Sequence, residues 1–255
     1  MNYIVAAGTD TGIKKNTNQD SLSVKVFNTA KGKIVFAILC DGMGGLEKGE
    51  VASATVVTAF TEWMKNNLQT LCEGSIEDGF IRKEWGDLVE SLNEKIKKYG
   101  RLNNVSLGTT LTSMLITDSR FYICNIGDTR AYEITNELKQ ITEDQTVVAR
   151  EIKLGKLTEE EACNDSRRNV LLQCIGASEH IYPDMFFGET RKDAVYMLCS
   201  DGFRHEISAS EIFSELRPEV MLESDQMKRS IDYLIDINKQ RLEQDNISVI
   251  TIRTF

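Results

Sequence analysis

The stretch IVFAILC-DGMGG, residues 34–45, joins an apolar run to a turn that carries few side chains. An uninterrupted run of seven apolar residues indicates a strand that is buried on both faces. The run ends at Asp41, and Gly42, Gly44 and Gly45 then permit close approaches and backbone conformations that larger residues disfavour. The stretch therefore predicts a carboxylate at the end of a buried strand, on a turn that is open to a ligand.

Three further aspartates stand at the ends of apolar runs. Asp128 and Asp201 each follow such a run, and Asp245 precedes another. Carboxylates at strand ends can converge at one edge of a sheet sandwich, and clusters with only oxygen ligands suit hard divalent ions such as Mg²⁺ or Mn²⁺. Any one of these aspartates is also explained as a turn or N-cap residue.

The composition describes an ordinary globular protein. The chain has 255 residues, of which 41% are hydrophobic and 27% charged, and neither a repeat nor a composition shift divides it, so we expect a single domain over residues 1–255. The net charge of −9 disfavours a nucleic-acid partner. The apolar runs are strand length, too short to span a membrane, and the N-terminus reads as a strand rather than a signal peptide.

The cysteines give no sign of a disulfide framework or a zinc site. The chain has 6 cysteines and no Cys-x-x-Cys pair. Several lie inside strand patterns, where a free cysteine behaves as a small apolar residue. This usage fits a reducing, cytoplasmic location.

The order of the predicted elements favours two packed sheets with helices outside. Strands are grouped with strands rather than alternating with helices, which argues against a parallel α/β fold. We expect strands at 3–8, 21–27, 33–40, 109–117, 119–125, 130–135, 194–200 and 247–253, and helices at about 47–68, 81–99 and 224–243. A polar, partly helical stretch occupies 143–170.

Six short motifs occur in a fixed order along the chain. They are Asn18-Gln19-Asp20, Asp41-Gly42-Met43-Gly44-Gly45, Gly108-Thr109-Thr110, Gly127-Asp128-Thr129-Arg130, Ser200-Asp201-Gly202 and Asp245-Asn246-Ile247-Ser248. Together they resemble the metal-dependent protein phosphatases of the PPM family, the type 2C serine/threonine phosphatases, and above all their compact bacterial members. The resemblance implies an α+β fold, a four-layer α-β-β-α sandwich of two antiparallel sheets flanked by helices, with 143–170 as a flap beside the active site.

The resemblance also implies a ligand set for two or three Mn²⁺ or Mg²⁺ ions. Asp41 would bridge two central ions, and Gly42 would ligate one through its carbonyl group. Asp201 and Asp245 would complete the other central site, so that Asp41, Asp201 and Asp245 are the expected catalytic residues. The remaining metal residues would be Asp128, with Asp201 at a weaker third ion, and Asp20, acting through water.

The implied chemistry needs no nucleophile from the protein. Two ions about 3.5–4 Å apart lower the pKa of a shared water towards ~7 and offset charge on the phosphoryl oxygens during in-line attack. The one Cys-x5-Arg spacing, from Cys124 to Arg130, begins inside a predicted strand, where a free cysteine behaves as a small apolar residue, which disfavours a cysteine-dependent phosphatase.

The chain departs from the family pattern at several positions. Lys15 stands where many members have arginine, and it would meet the substrate phosphate as a point charge; an exposed loop lysine is the alternative. Gln19 replaces a frequent glutamate. Met43 stands where eukaryotic members often have a histidine proposed as general acid, and it cannot donate a proton. His205 follows the Ser200-Asp201-Gly202 turn and could lie near the site; we favour the alternative of a surface loop histidine.

The function that follows is Mn²⁺- or Mg²⁺-dependent hydrolysis of phosphoserine and phosphothreonine in proteins, without a phosphoenzyme. By family analogy the partners are phosphorylated proteins, including a Ser/Thr kinase and its substrates, and we expect a cytoplasmic monomer. Three alternatives stay open: a phosphatase of small phosphorylated metabolites, a non-catalytic member that binds a phosphoprotein, and a structural relative that binds no metal.

Overall fold

A computed structural model describes residues 1–30, 32–43, 48–73 and 76–255. Gly44 and Gly45, which the sequence predicts to be permissive turn residues, lie outside these ranges. The strands are β1 (Tyr3–Asp10), β2 (Asp20–Thr29), β3 (Gly32–Met43), β4 (Gly108–Thr109), β5 (Leu111–Ile116), β6 (Arg120–Ile126), β7 (Arg130–Ile134), β8 (Leu138–Gln140), β9 (Asp184–Glu189), β10 (Val195–Cys199) and β11 (Ile247–Thr254). The helices are α1 (Gly49–Glu73), α2 (Asp78–Asn103), α3 (Val147–Lys153), α4 (Glu159–Cys163), α5 (Asp201–Arg204), α6 (Ala209–Leu216) and α7 (Ser224–Gln240).

The strands form two antiparallel sheets. One has the order β1-β11-β10-β7-β8, and the other has the order β2-β3-β5-β6-β9, with β4 paired to β3. Strand β3 pairs with β2 on one side and with β5 on the other. The apolar run therefore forms an interior strand of its sheet, as its composition predicts.

The two faces of β3 belong to different cores. Val35, Ala37 and Leu39 pack in the layer between the two sheets. The alternate residues, such as Phe36 and Ile38, pack in the core that includes α1 and α2. Because side chains alternate across a strand, a strand that is covered on both faces needs apolar residues at every position.

The helices cover the outer faces of both sheets, which confirms the four-layer sandwich. Helices α1 and α2 pack on the β3 sheet, where Phe60 and Trp85 are fully buried. Helices α5, α6 and α7 pack on the other sheet through residues such as Met227 and Ile231. In the described part of the chain, no helix is long and apolar enough to cross a membrane.

The structure differs from the predicted elements in a few places. Strand β3 does not end at Asp41 but continues to Met43, because Gly42 and Met43 pair with β4. The predicted strand 109–117 is divided into β4 and β5. The sequence reading also missed β8, β9, α5 and α6, most of which are too short to show a period of their own.

Four aromatic rings form the centre of the core under α1 and α2. The ring of Trp85 lies 6.4 Å from that of Phe36, 6.0 Å from that of Phe60 and 5.7 Å from that of Trp63. The indole N–H of Trp85 is buried without a hydrogen-bond partner. Trp85 therefore contributes through packing and not through hydrogen bonding.

We expect Trp85→Ala to lower the free energy of unfolding by about 3–5 kcal/mol, since it leaves a large cavity. Trp85→Phe should cost much less, because it keeps an aromatic ring and removes a buried donor that has no acceptor. Urea denaturation followed by circular dichroism measures both changes. Equal losses in the two variants would contradict this account.

Candidate metal centre

Five aspartates are placed at one end of the sandwich by the strands that carry them. Asp20 begins β2 and is the direct antiparallel partner of Asp41 near the end of β3. Asp128 follows the end of β6, Asp201 follows the end of β10, and Asp245 precedes the start of β11. Neighbouring antiparallel strands run in opposite directions, so a strand end and the start of its neighbour lie at the same edge. The structure thus brings all five together.

The charges of these aspartates act on one another. Burial raises the pKa of Asp41 well above its ordinary value, and the charges of Asp20, Asp201, Asp128 and Asp245 raise it further. Burial and the charges of Asp201 and Asp245 raise the pKa of Asp20 to about 7. The pKa of Asp128 is likewise raised to about 7, by burial and then by the charge of Asp201. The cluster therefore holds more negative charge than its own surroundings offset.

Several carboxylate oxygens of the cluster are buried without a hydrogen-bond partner. They are both oxygens of Asp20 and Oδ1 of Asp201. The hydroxyl groups of Ser248 and Ser200 lower the pKa of Asp20 in part, although neither makes a hydrogen bond of normal geometry to it. Orphaned carboxylate oxygens are costly in a protein interior, and they are the ligands that hard divalent cations prefer. The residues present therefore fit a Mn²⁺ or Mg²⁺ centre.

Basic side chains also contact the cluster. In the described ranges, no group of three or more His, Cys, Asp and Glu side chains is arranged so that it could hold a metal ion as it stands. Instead, Nζ of Lys15 lies 3.0 Å from Oδ1 of Asp245, and Nε2 of His205 lies 3.6 Å from Oδ2 of Asp201. A metal ion at these carboxylates would have to compete with both side chains.

Gly42 lies where two segments of backbone almost touch. Its N–H donates to the carbonyl oxygen of Gln19 at 3.1 Å. A Cβ at Gly42 would lie 2.3 Å from the carbonyl oxygen of Gly49, and a Cβ at Gly49 would lie 2.6 Å from that of Gly42. Only glycine fits at either position, so the backbone next to Asp41 is held against the first residue of α1. That the Gly42 carbonyl ligates a metal remains a prediction.

A second glycine brings Asp201 close to Asp245. Gly202 follows Asp201 in α5, and a Cβ there would lie 2.3 Å from the carbonyl oxygen of Asn246 and 3.4 Å from Cβ of Asp245. Any larger residue would push α5 away from the start of β11. The glycine of this motif therefore sets the separation between the two aspartates.

Asn246 fixes the loop before β2 against the start of β11. Its side-chain oxygen accepts the N–H of Gln19 at 2.8 Å. Its side-chain N–H groups donate to the carbonyl oxygens of Thr11 at 2.9 Å and Thr17 at 3.2 Å. These bonds hold the segment that carries Lys15 beside the neighbouring Asp245.

Of the two interpretations of His205, a position near the site and a surface loop, the structure supports the first. The His205 side chain is only 19% exposed, and its Nδ1 lies 3.4 Å from Oε2 of Glu243. Burial lowers the pKa of His205, but the hydrogen bond with Glu243 and the charge of Asp201 outweigh this and raise it overall. Glu243 also accepts the N–H groups of Gln244 at 2.7 Å and Asp245 at 2.8 Å. The His205–Glu243 pair therefore links two predicted metal ligands, Asp201 and Asp245.

A second group that sequence reasoning missed surrounds Asp128. Arg204 donates to the carbonyl oxygen of Asp128 at 3.2 Å and lies 4.0 Å from its carboxylate. Arg204 also lies 3.6 Å from Asp144, which accepts two 2.7 Å hydrogen bonds from the guanidinium of Arg130. The motif Gly127-Asp128-Thr129-Arg130 gave a signal for Arg130, but nothing local pointed to Asp144 or Arg204.

A family model described as Protein phosphatase 2C matches residues 7–236. The chain belongs to this family. It is 30% identical over 251 residues to the serine/threonine phosphatase Stp of Listeria welshimeri, and this alignment covers 96% of this chain and 93% of that protein. Among solved structures it is similar to the serine/threonine phosphatase of S. agalactiae, with a TM-score of 0.84 and 26% identity over 100% of both chains. It is also similar to the catalytic domain of the phosphatase PstP in complex with 2 manganese ions, with a TM-score of 0.76 and 27% identity over 99% of both chains.

These comparisons confirm the predicted family, the fold and the class of enzyme, a metal-dependent serine/threonine protein phosphatase. The use of divalent metal ions follows at the level of the family, and the bacterial type fits these relatives. The individual ligand residues stay predictions, which the geometry above supports.

We expect Asp20→Asn to stabilise the metal-free protein, and to do so more at pH 8 than at pH 5. The folded pKa of Asp20, about 7, lies above its ordinary value of 3.8. The stabilising effect of the protonated form is thus complete below the unfolded pKa and is lost as pH rises through about 7. Asparagine does not titrate, so its advantage should grow by roughly 1–3 kcal/mol between the two pH values.

Urea denaturation after chelation, at both pH values, measures this difference between wild type and Asp20→Asn. The same comparison on Asp232→Asn, an exposed aspartate on α7, controls for general effects of net charge. An advantage for Asp20→Asn that is the same at pH 5 and pH 8 would contradict the assignment of a raised pKa.

Proposed function

We propose that this protein hydrolyses phosphoserine and phosphothreonine in proteins with two or three Mn²⁺ or Mg²⁺ ions as cofactors. The observation that carries the proposal is the convergence of five aspartates on one end of the sandwich, with buried carboxylate oxygens that lack hydrogen-bond partners. The family supports it, because its members are protein phosphatases. The substrates would be phosphoproteins, including a Ser/Thr kinase and the targets of that kinase. The cytoplasmic location and monomeric state stay predictions of the sequence.

The proposed roles of the residues follow from their positions. The charges of all four other aspartates raise the pKa of Asp41. Asp41 would hold the central ions together with Asp201, Asp245 and the carbonyl oxygen of Gly42. The further metal residues would be Asp20, beside Asp41 on β2, and Asp128, beside Arg204. Bound ions supply a water of lowered pKa as the nucleophile and offset charge on the phosphoryl oxygens.

The cysteines of the core support water as the nucleophile. Cys40, Cys124 and Cys199 are fully buried, and burial raises the pKa of each thiol, that of Cys199 to about 12. A thiol with so high a pKa is protonated at neutral pH and is a poor nucleophile. A covalent phosphocysteine route therefore has no support from these residues.

Lys15 is proposed to bind the substrate phosphate. Partial burial lowers its pKa, but the hydrogen bond to Asp245 and the charges of Asp245, Asp41 and Asp201 outweigh this, so the ammonium group stays charged. The side chain is 42% exposed, so it reaches both the aspartates and the solvent. A metal ion at Asp245 would weaken the ion pair with Lys15 and leave its charge to the phosphate.

We expect release of phosphate from a phosphothreonine peptide to require added Mn²⁺ or Mg²⁺ and to stop in excess chelator. Asp41→Asn and Asp245→Asn should each lower kcat by at least 100-fold while circular dichroism shows a folded protein, since they remove ligands and not core packing. Isothermal titration with Mn²⁺ should show weaker binding in both variants. A panel of phosphopeptides and small phosphoesters tests the substrate class.

Metal-independent turnover after complete chelation would overturn the mechanism. Activity on small phosphoesters alone would favour a metabolite phosphatase instead. Asp118→Asn serves as the matched control and should keep wild-type turnover. Asp118 lies just beyond the end of β5, and its carboxylate pairs with the N-terminal amine and not with the aspartate cluster.

Lys15→Ala should raise KM for a phosphopeptide several-fold with little change in kcat, because a ground-state contact is lost. Lys15→Arg should be tolerated, since arginine offers a bidentate fork to phosphate. Mn²⁺ should bind Lys15→Ala somewhat more tightly than wild type, because a competing cation has been removed. Steady-state kinetics at low salt and a Mn²⁺ titration measure these effects, and unchanged KM together with unchanged metal affinity would exclude Lys15 from the site.

A further inference from the structure

A polar cleft opens beside Asp245, outside the cluster of aspartates. Its volume is ≈ 580 Å³, and the residues of interest on its walls are Lys14, Lys15, Asn16, Arg168, Asn169 and Gln244. A second cleft of ≈ 340 Å³ shares Arg168 and Asn169 and reaches Asp165. The two clefts therefore adjoin each other between the candidate metal centre and the region predicted as a flap.

Lys14 differs from its neighbour Lys15 in what it contacts. Nζ of Lys15 is paired with Asp245, whereas Nζ of Lys14 hydrogen-bonds at 2.8 Å to the neutral side-chain oxygen of Gln244. In the part of the chain that the structure describes, the Lys14 ammonium has no carboxylate within ion-pair distance. Its charge therefore lies on the wall of the cleft without a carboxylate partner of its own, next to the place proposed for the substrate phosphate.

The walls also offer partners for a peptide backbone. Asn16 and Asn169 are exposed and each carries an amide that can both donate and accept a hydrogen bond. An extended peptide in a groove uses such groups for its main chain and uses pockets or charges to select side chains. Glu206, Glu243 and Asp245 also line the cleft, so a negative group would be favoured beside Lys14 and disfavoured near these carboxylates.

We propose that this cleft binds the segment next to the phosphorylated residue, and that Lys14 selects segments that carry a further anionic group. The inference rests on the proposed function and adds a substrate class to it. The anionic group is either a carboxylate or a second phosphate, since a lysine ammonium binds both as a point charge. The chain as a whole carries a net charge of −9, so the selectivity must arise from a charge close to the bound peptide, within about one Debye length of 8–10 Å.

The test uses the full chain with Mn²⁺ and three phosphothreonine peptides of one parent sequence. One has neutral residues around the phosphothreonine, one has glutamates there, and one has a second phosphothreonine. We expect wild type to show a kcat/KM about three- to fivefold higher for the anionic peptides at low salt, which is the range of one exposed ion pair. The preference should appear in KM and should shrink at high salt.

Variants separate the role of Lys14 from general charge effects. Lys14→Ala should bring the anionic-to-neutral ratio of kcat/KM close to one, and Lys14→Arg should retain the preference. Lys95→Ala, which removes the same charge from an exposed position on α2 outside the cleft, should keep the wild-type ratio. A higher kcat/KM per phosphothreonine for the doubly phosphorylated peptide than for the glutamate peptide would identify the preferred anion as phosphate.

Equal kcat/KM for all three peptides in wild type would overturn the inference, and so would a preference that survives in Lys14→Ala. In either case Mn²⁺-dependent release from the neutral peptide would leave the proposed function intact. Failure to release phosphate from any peptide with Mn²⁺ would overturn both.

Discussion

The burial of like charges at one end of the sandwich is the constraint on which the site depends. The raised pKa values of Asp20, Asp41 and Asp128 record the cost of placing carboxylates where water and hydrogen-bond donors are scarce. The chain offsets part of this cost at the edge of the cluster, where Lys15 pairs with Asp245. The rest is a deficit of positive charge that a divalent cation relieves, so metal affinity and stability of the fold are expected to be linked.

A rigid scaffold keeps these charges together. The apolar run that forms β3 is anchored in both cores, and it carries Asp41 into the cluster. Close backbone approaches at Gly42 and Gly202 allow no side chain, and the side chain of Asn246 ties the loop before β2 to the start of β11. A site built on strand ends and supported in this way holds repelling groups that a flexible loop would let separate.

The metal centre and the neighbouring cleft contribute differently to function. Carboxylates that gather metal ions can catalyse hydrolysis of many phosphoesters, because the chemistry involves only the phosphoryl group. Choice among substrates must come from groups that contact the rest of the substrate. Lys14, Arg168 and the cleft amides are placed to do so, and they come from segments distant in the sequence.

Local sequence determined much of this protein. The unbroken apolar run before Asp41 predicted a strand with two covered faces, and the ordered aspartate motifs predicted both the family and the residues that converge, because strand periodicity and turn chemistry are encoded by near neighbours. Only the tertiary structure placed His205 between Asp201 and Glu243, extended β3 past Asp41 by pairing it with β4, and gave Lys15 its carboxylate partner 230 residues away. Burial, raised pKa values and ion pairs of this kind depend on the distance between groups in the folded chain, and the spacing of residues along the sequence does not contain that distance.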